Sequence, residues 1–222
     1  MLEKWFEIIS NHKISLRERL FRMITSICMI ALICTMPMGK SVLNLCLLLV
    51  SLVIMAFIVK VSIQKECINT GATAIVVLLL LLFPETFFTA GGFYSGMPEW
   101  FVLCFIYISI TLEGKRKYVF FLLCAVETLV CYWIALYYPE LAAAKTPEQS
   151  FLTSAISVIM VGFLTSIILM FLNRMYEEEN EITKRQKREI EELNKAENHF
   201  FSSMSHEIRT PINTIIGLNE II

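Results

Sequence analysis

The chain has 222 residues, 56% of them hydrophobic and 18% charged, whereas a soluble domain is about 45–50% apolar and about 25% charged; an ordinary water-soluble globule is excluded and a membrane protein is indicated. A formal net charge of −1 gives no basis for nucleic-acid binding. The charge is also unevenly placed: Lys and Arg are sparse between residues 23 and 172 and the chain turns highly polar afterwards, which divides it into a membrane part and a cytosolic tail.

Residues 1–22 set Trp5, Phe6, Ile8, Ile9, Leu16, Leu20 and Phe21 among basic residues. They form a cytoplasmic N-terminal segment, either a helix lying in the membrane interface or a plain tail. The first strong apolar run begins near Met23, after this charged segment, and no small-residue cleavage site closes it, so no signal peptide is expected.

A helix crosses the hydrocarbon core with about 20 mostly apolar residues. Six stretches come close: 23–38, 42–59, 72–88, 98–111, 118–138 and 151–172. The first and fourth are short, and the third carries Pro84 and Glu85 near its end. Residues 23–172 are therefore expected to form a membrane bundle of about six spans. Lys4, Lys13, Arg17, Arg19, Arg22, Lys60, Lys65, Lys115, Arg116 and Lys117 fall on one side of that arrangement, and Lys40 and Lys145 on the other. Positive charge marks the cytoplasmic side, so both termini are expected there, as an even number of spans requires. The longest external loop, around 89–99, holds Gly91, Gly92, Tyr94, Gly96 and Pro98 and leaves no room for a folded external domain. A stimulus must then be read within the bilayer, at its surface, or through another protein.

Seven cysteines (Cys28, Cys34, Cys46, Cys67, Cys104, Cys124 and Cys131) lie mostly in apolar runs with neither a CxxC pair nor metal-site spacing. They read as small core residues, and no metal site is expected. Gly39-Lys40-Ser41 is similar to a phosphate loop, but the glycine required five residues before Gly39 is replaced by Cys34. Glu127 sits near the middle of the fifth stretch. An ionisable group at that depth is costly and is a membrane sensor candidate. It either binds a ligand, senses protons, or is a protonated side chain hydrogen-bonded to a neighbouring helix.

Residues 173–198 are rich in Glu, Lys and Arg with no Pro or Gly, and predict a continuous cytoplasmic helical linker. Glu181 with Arg185 and Glu191 with Lys195 are spaced for (i, i+4) pairing, worth a few tenths of a kcal/mol each. Ile190, Leu193, Phe200 and Met204 follow three-four spacing, with Glu197 at one seam position. That is coiled-coil periodicity, and it predicts a parallel dimer. Upstream, Ile182 and Ile190 are eight apart, a local stutter.

Residues 200–217 read FFSSMSHEIRTPINTIIG. The run resembles the H-box of bacterial two-component sensor histidine kinases, in Phe200, Met204, Ser205, His206, Glu207, Ile208, Arg209, Thr210, Pro211, Asn213, Ile216 and Gly217. If Met204 and Ile208 face a dimer core, His206 lies about 160° from each at about 100° per residue and points outward, where a nucleotide can reach it. A neutral imidazole is a good nucleophile near pH 7, and the adjacent Glu207 can take the proton from its other nitrogen. The resemblance implies that His206 is the phosphoacceptor, Glu207 the general base, and Thr210 an aid to dephosphorylating the partner regulator. Arg209 is a weaker candidate for steering anionic groups. Pro211 cannot donate to the carbonyl of Glu207 and is expected to loosen the helix as a hinge. His199 and His12 have no such context.

The resemblance further implies an all-α architecture: the six-span bundle, the signalling helix, and within 199–222 the first helix of a dimerisation and histidine phosphotransfer domain. It also implies an incomplete sequence of a longer kinase, because the family's second bundle helix and ATP-binding domain are not within these residues. ATP and Mg²⁺ are expected for the full-length enzyme, with no site for them here. The implied partners are a response regulator receiver domain, a second copy through the cytoplasmic helices, and the lipid bilayer of a bacterial inner membrane. The alternative is a truncated receptor or phosphorelay acceptor without kinase activity of its own. A transporter or channel would match the span count but leave the motif unexplained.

Overall fold

The computed structural model describes residues 14–36 and 42–219. The N-terminal residues 1–13, the Gly39-Lys40-Ser41 turn and residues 220–222 lie outside the described residues. All regular structure among the described residues is helical.

Helix α1 (Leu16–Thr35) begins about two turns before the apolar run, inside the N-terminal segment read above as either an interfacial helix or a plain tail. Local hydrogen bonding explains the difference. The Ser15 hydroxyl accepts from the Glu18 N–H at 3.3 Å, and the Glu18 carboxylate binds Arg22 one turn on. A capped start with an acidic first turn complements the helix dipole and extends the helix into polar sequence. Helices α2 (Val42–Gln64) and α3 (Ile68–Ala90) are joined by a tight turn in which the Cys67 N–H bonds the Ser62 carbonyl at 3.0 Å. Pro84 does not end α3; the hydroxyls of Thr86 and Thr89 bond carbonyls of the preceding turn, and the helix closes at Gly91. Gly91 has φ 112°, left-handed backbone that glycine adopts without steric cost.

A short 3₁₀ turn (Gly92–Tyr94) leads into α4 (Met97–Thr111), with Pro98 in its first turn. Part of the expected 89–99 loop is thus helical. Helix α5 (Gly114–Tyr137), a second 3₁₀ turn (Pro139–Leu141) and α6 (Pro147–Asn219) follow. The chain divides into two units, Met1–Leu172 and Asn173–Ile222.

In the first unit α2 packs on α3, α3 on α4 and α5, α4 on α5, and α1 on α4, α2 and α3. Helix α4 is central: Trp100, Phe101, Cys104, Tyr107 and Ile108 are each at most 3% exposed. Helix α5 shows the reverse, with Phe121, Leu122, Leu129 and Trp133 among many exposed apolar side chains. The early part of α6 buries Ser157, Val161, Leu164 and Ile168 on one face and exposes Ile159, Phe163 and Met170 on the others. Apolar surface this extensive is stable against lipid tails and not against water.

Among the described residues, four helices are long and apolar enough to cross a membrane: Asn44–Gln64, Ile68–Ala90, Gly114–Tyr137 and Pro147–Ser205. Helix α4 is apolar but has 15 residues, about 22 Å at about 1.5 Å per residue against a core of about 30 Å. Helix α1 opens with Arg17, Glu18, Arg19 and Arg22. The start of α1, the α2–α3 turn and the α4–α5 turn meet at one end of the bundle, where Arg17 pairs with Glu113 at 3.1 Å and Phe21 lies against Gly71. That end gathers Arg17, Arg19, Arg22, Lys60, Lys65, Lys115, Arg116 and Lys117, whereas Lys145 lies at the opposite end.

The second unit is helical to Asn219. Arg174 pairs with Glu178 at 3.4 Å, and Glu181 with Lys184 at 3.1 Å, one residue short of the Arg185 partner expected from spacing. Ile190, Leu193, Phe200, Met204 and Ile208 are all exposed on this single helix.

Candidate functional site

The SHEIRTP run, Ser205 to Pro211, lies on α6, and helix continues beyond Pro211 to Asn219. The side chains of His206, Glu207, Thr210 and Pro211 lie outside the described residues. The backbone alone sets Glu207 next to His206 and Thr210 four residues on, one turn along the same face. The described neighbours are exposed: Met204 and Ile208 on one side of the helix, and Arg209, whose guanidinium carries no ion pair among the described residues. Phe200 and Phe201 form an edge-on ring pair at 5.9 Å.

The bundle contains a second group of candidates, its intramembrane polar side chains. Glu127 is half-buried on α5. Its electrostatic neighbours are Cys104, Cys124 and Cys131, and its carboxylate makes no hydrogen bond or ion pair among the described residues. All seven cysteines are free, and among the described residues no cluster of His, Cys, Asp or Glu is arranged to hold a metal ion.

Several hydrogen bonds, some buried and some at the bundle's edge, tie its elements together. The Thr25 and Tyr107 hydroxyls meet at 3.1 Å, Asn44 Nδ2 donates to Thr89 Oγ1 at 3.0 Å, and Trp100 Nε1 donates to Ser157 Oγ at 3.1 Å. Ser154 Oγ donates to Glu99 Oε1 at 3.2 Å, and Ser150 Oγ to the Tyr94 carbonyl at 2.7 Å. In hydrocarbon such bonds are worth about 0.6 kcal/mol on average and about 1.7 at most.

No protein-family model matches the chain. No curated protein and no solved structure matches it. The functional reading therefore rests on the chain's own residues.

The α4–α6 contacts through Glu99, Trp100, Ser154 and Ser157 were not singled out by the sequence reading. A signal for them exists. Ser150, Ser154, Ser157 and Val161 recur at four-three-four spacing on the last span, and small polar residues at that period mark a helix–helix seam in membranes. Glu85, noted above only as an oddity near the end of a span, has both carboxylate oxygens buried without a hydrogen-bond partner among the described residues.

Proposed function

We propose that this chain is the membrane-sensor and phosphoacceptor portion of a two-component sensor histidine kinase, phosphorylated on His206 and passing the phosphoryl group to an aspartate of a response regulator. The observation that carries the reading is the uninterrupted string Ser205-His206-Glu207-Ile208-Arg209-Thr210-Pro211, on a helix whose earlier residues form an apolar membrane segment. A single histidine would ordinarily be read as incidental; the whole string requires one explanation.

In this reading the bundle crosses a bacterial inner membrane six times, with α1 and the short central α4 as the two spans that do not reach full apolar length on their own. Support comes from the charge gathered at the end of the bundle where α1 begins. If that end is cytoplasmic, the orientation obeys the positive-inside rule, and residues beyond Asn173 emerge into the compartment that contains ATP. The exposed seam of Ile190, Leu193, Phe200 and Met204 supports a parallel two-stranded association in which each copy covers the other's apolar stripe.

Among the described residues no cluster of His, Cys, Asp or Glu is arranged to hold Mg²⁺, and ATP and Mg²⁺ would be held by a separate kinase domain. When bound by a kinase domain, the nucleotide supplies the γ-phosphoryl group. The tasks of this chain's own residues follow from their chemistry. His206, as the neutral imidazole, would attack the γ-phosphorus through one ring nitrogen as the bond from that phosphorus to the departing ADP breaks. Glu207 accepts the proton from the other nitrogen, which keeps the ring nucleophilic. Thr210, one turn along, orients water for hydrolysis of the regulator's phosphoaspartate. Arg209 offers a cation at the docking face, and Pro211 weakens the helix just past the acceptor.

Two experiments in native membranes test the reading. Fluorescent and periplasmic reporters fused after Ile222 and after Ala143 should report cytoplasm and periplasm respectively; the opposite pattern refutes the topology. Inside-out vesicles given radiolabelled ATP should label His206 with alkali-stable, acid-labile phosphate, and H206Q should abolish the label. An unchanged label in H206Q refutes the acceptor.

A further inference from the structure

At the end of the bundle opposite the arginines, the two 3₁₀ turns and the α5–α6 loop line a half-open pocket of about 540 Å³. Ligand sites generally fall within about 300–1,000 Å³. Its wall includes Phe93, Tyr94, Ala135, Pro139, Ala143 and Lys145. We propose that this cavity binds a small organic anion with an apolar body, the carboxylate or equivalent group meeting Lys145. The binding itself stands apart from the kinase reading; only its role as the stimulus site, and its position on the external face, rest on that reading.

The wall is built rather than incidental. The Ala143 N–H bonds the Phe88 carbonyl at 2.9 Å, the Ala142 N–H bonds the Pro139 carbonyl at 3.1 Å, and Ser150 Oγ bonds the Tyr94 carbonyl at 2.7 Å. Gly91 and Gly92 both have positive φ, and a Cβ on Gly91 would come within 3.0 Å of Lys145 Cδ. The lysine stem therefore lies across bare glycine backbone, with Nζ donating to Thr153 Oγ1 at 3.4 Å. A pre-ordered wall lowers the entropic cost of binding a ligand.

The charge pattern selects the ligand class. The pocket has one basic and one acidic side chain, Lys145 and Glu140, beside the phenol of Tyr94. Lys145 is partly buried and held by packing, whereas Glu140 is exposed on its 3₁₀ turn. A held ammonium in a partly apolar wall gives a strong charge-assisted bond to a carboxylate, and a solvated carboxylate gives a cation little. The remaining wall is aromatic and aliphatic, which suits an apolar body. Tyr94 and Lys145 bond to Ser150 and Thr153, so an occupant bears directly on the first turns of α6.

The test uses the full chain in phosphatidylcholine nanodiscs, without ATP or regulator, so that its failure leaves the kinase reading untouched. Equilibrium dialysis with 2-naphthoate should give saturable binding, at up to millimolar concentration, above that of empty nanodiscs. K145Q should weaken it by about tenfold or more, the loss of one charged hydrogen bond, while K145R retains it and both variants melt as the parent does. Binding of 2-naphthylmethylamine should not saturate. No saturable naphthoate binding, equal binding by K145Q, or equal binding of the amine would each overturn the proposal.

Discussion

Gly96→Ala isolates the contact between α4 and α6. Gly96 has φ −80° and ψ 10°, a negative-φ conformation open to alanine, so the effect of the change is chiefly steric. A Cβ there would lie 1.9 Å from Ser157 Oγ, 2.3 Å from Ser157 Cβ and 2.6 Å from the Thr153 carbonyl oxygen. Restoring ordinary contact at about 3.5 Å requires the helices to separate by about 1.5 Å. That opening breaks the Trp100–Ser157 hydrogen bond, which is 3.1 Å long. The expected loss is about 1–3 kcal/mol, as for other overpacked interiors. Ser157→Ala alone should cost about 0.6–1.7 kcal/mol, because Trp100 loses its acceptor. In the Gly96→Ala background the same change should instead stabilise, since it removes the closest clash. Rescue stays well short of complete because the Cβ of residue 157, at 2.3 Å, and the Thr153 carbonyl oxygen, at 2.6 Å, both remain. Unfolding of the four variants in mixed detergent–lipid micelles measures the cycle. Additive free energies, with Ser157→Ala destabilising in both backgrounds, would refute this account of the helix contact.

Gly91→Ala should cost about 1–2 kcal/mol in the same assay, the strain of placing an L residue at φ 112°; a neutral result would mean that the turn at the end of α3 is not formed as described. Glu127→Gln should change stability by less than about 0.5 kcal/mol, because the carboxylate has no hydrogen-bond partner among the described residues to lose; a loss above about 1 kcal/mol would reveal a structural partner for Glu127. Ile190→Asp with Leu193→Asp should convert a dimer to a monomer in analytical ultracentrifugation, since both side chains sit well exposed on the seam, Leu193 at 70%; an unchanged sedimentation profile would remove the coiled coil from the account.

The helical membrane character was legible because it depends on long apolar runs, which composition and hydropathy report directly. Helix ends were less so. Residues 16–22 read as part of an N-terminal segment that was either an interfacial helix or a plain tail; the Ser15–Glu18 cap and the Glu18–Arg22 pair draw them into α1. Pro84 read as a weak point in its span, yet α3 passes through it to Gly91. The backbone of residues 200–217 is helical, and the roles proposed for His206, Glu207 and Thr210 rest on the sequence string itself. The cavity by Lys145 was not legible, because it is made by two loops that approach only after α3, α5 and α6 are packed. Hydrophobic periodicity describes faces of single elements and is silent about spaces between loops.

The most direct measurement of the central claim is mass spectrometry of the chain isolated from its own cells under alkaline conditions, which preserve phosphohistidine. Phosphate on His206 that is lost after brief acid treatment and absent in H206Q is the predicted result. Phosphate confined to Ser202, Ser203 or Ser205, or no phosphate on this segment while the cognate regulator is phosphorylated, would contradict the account.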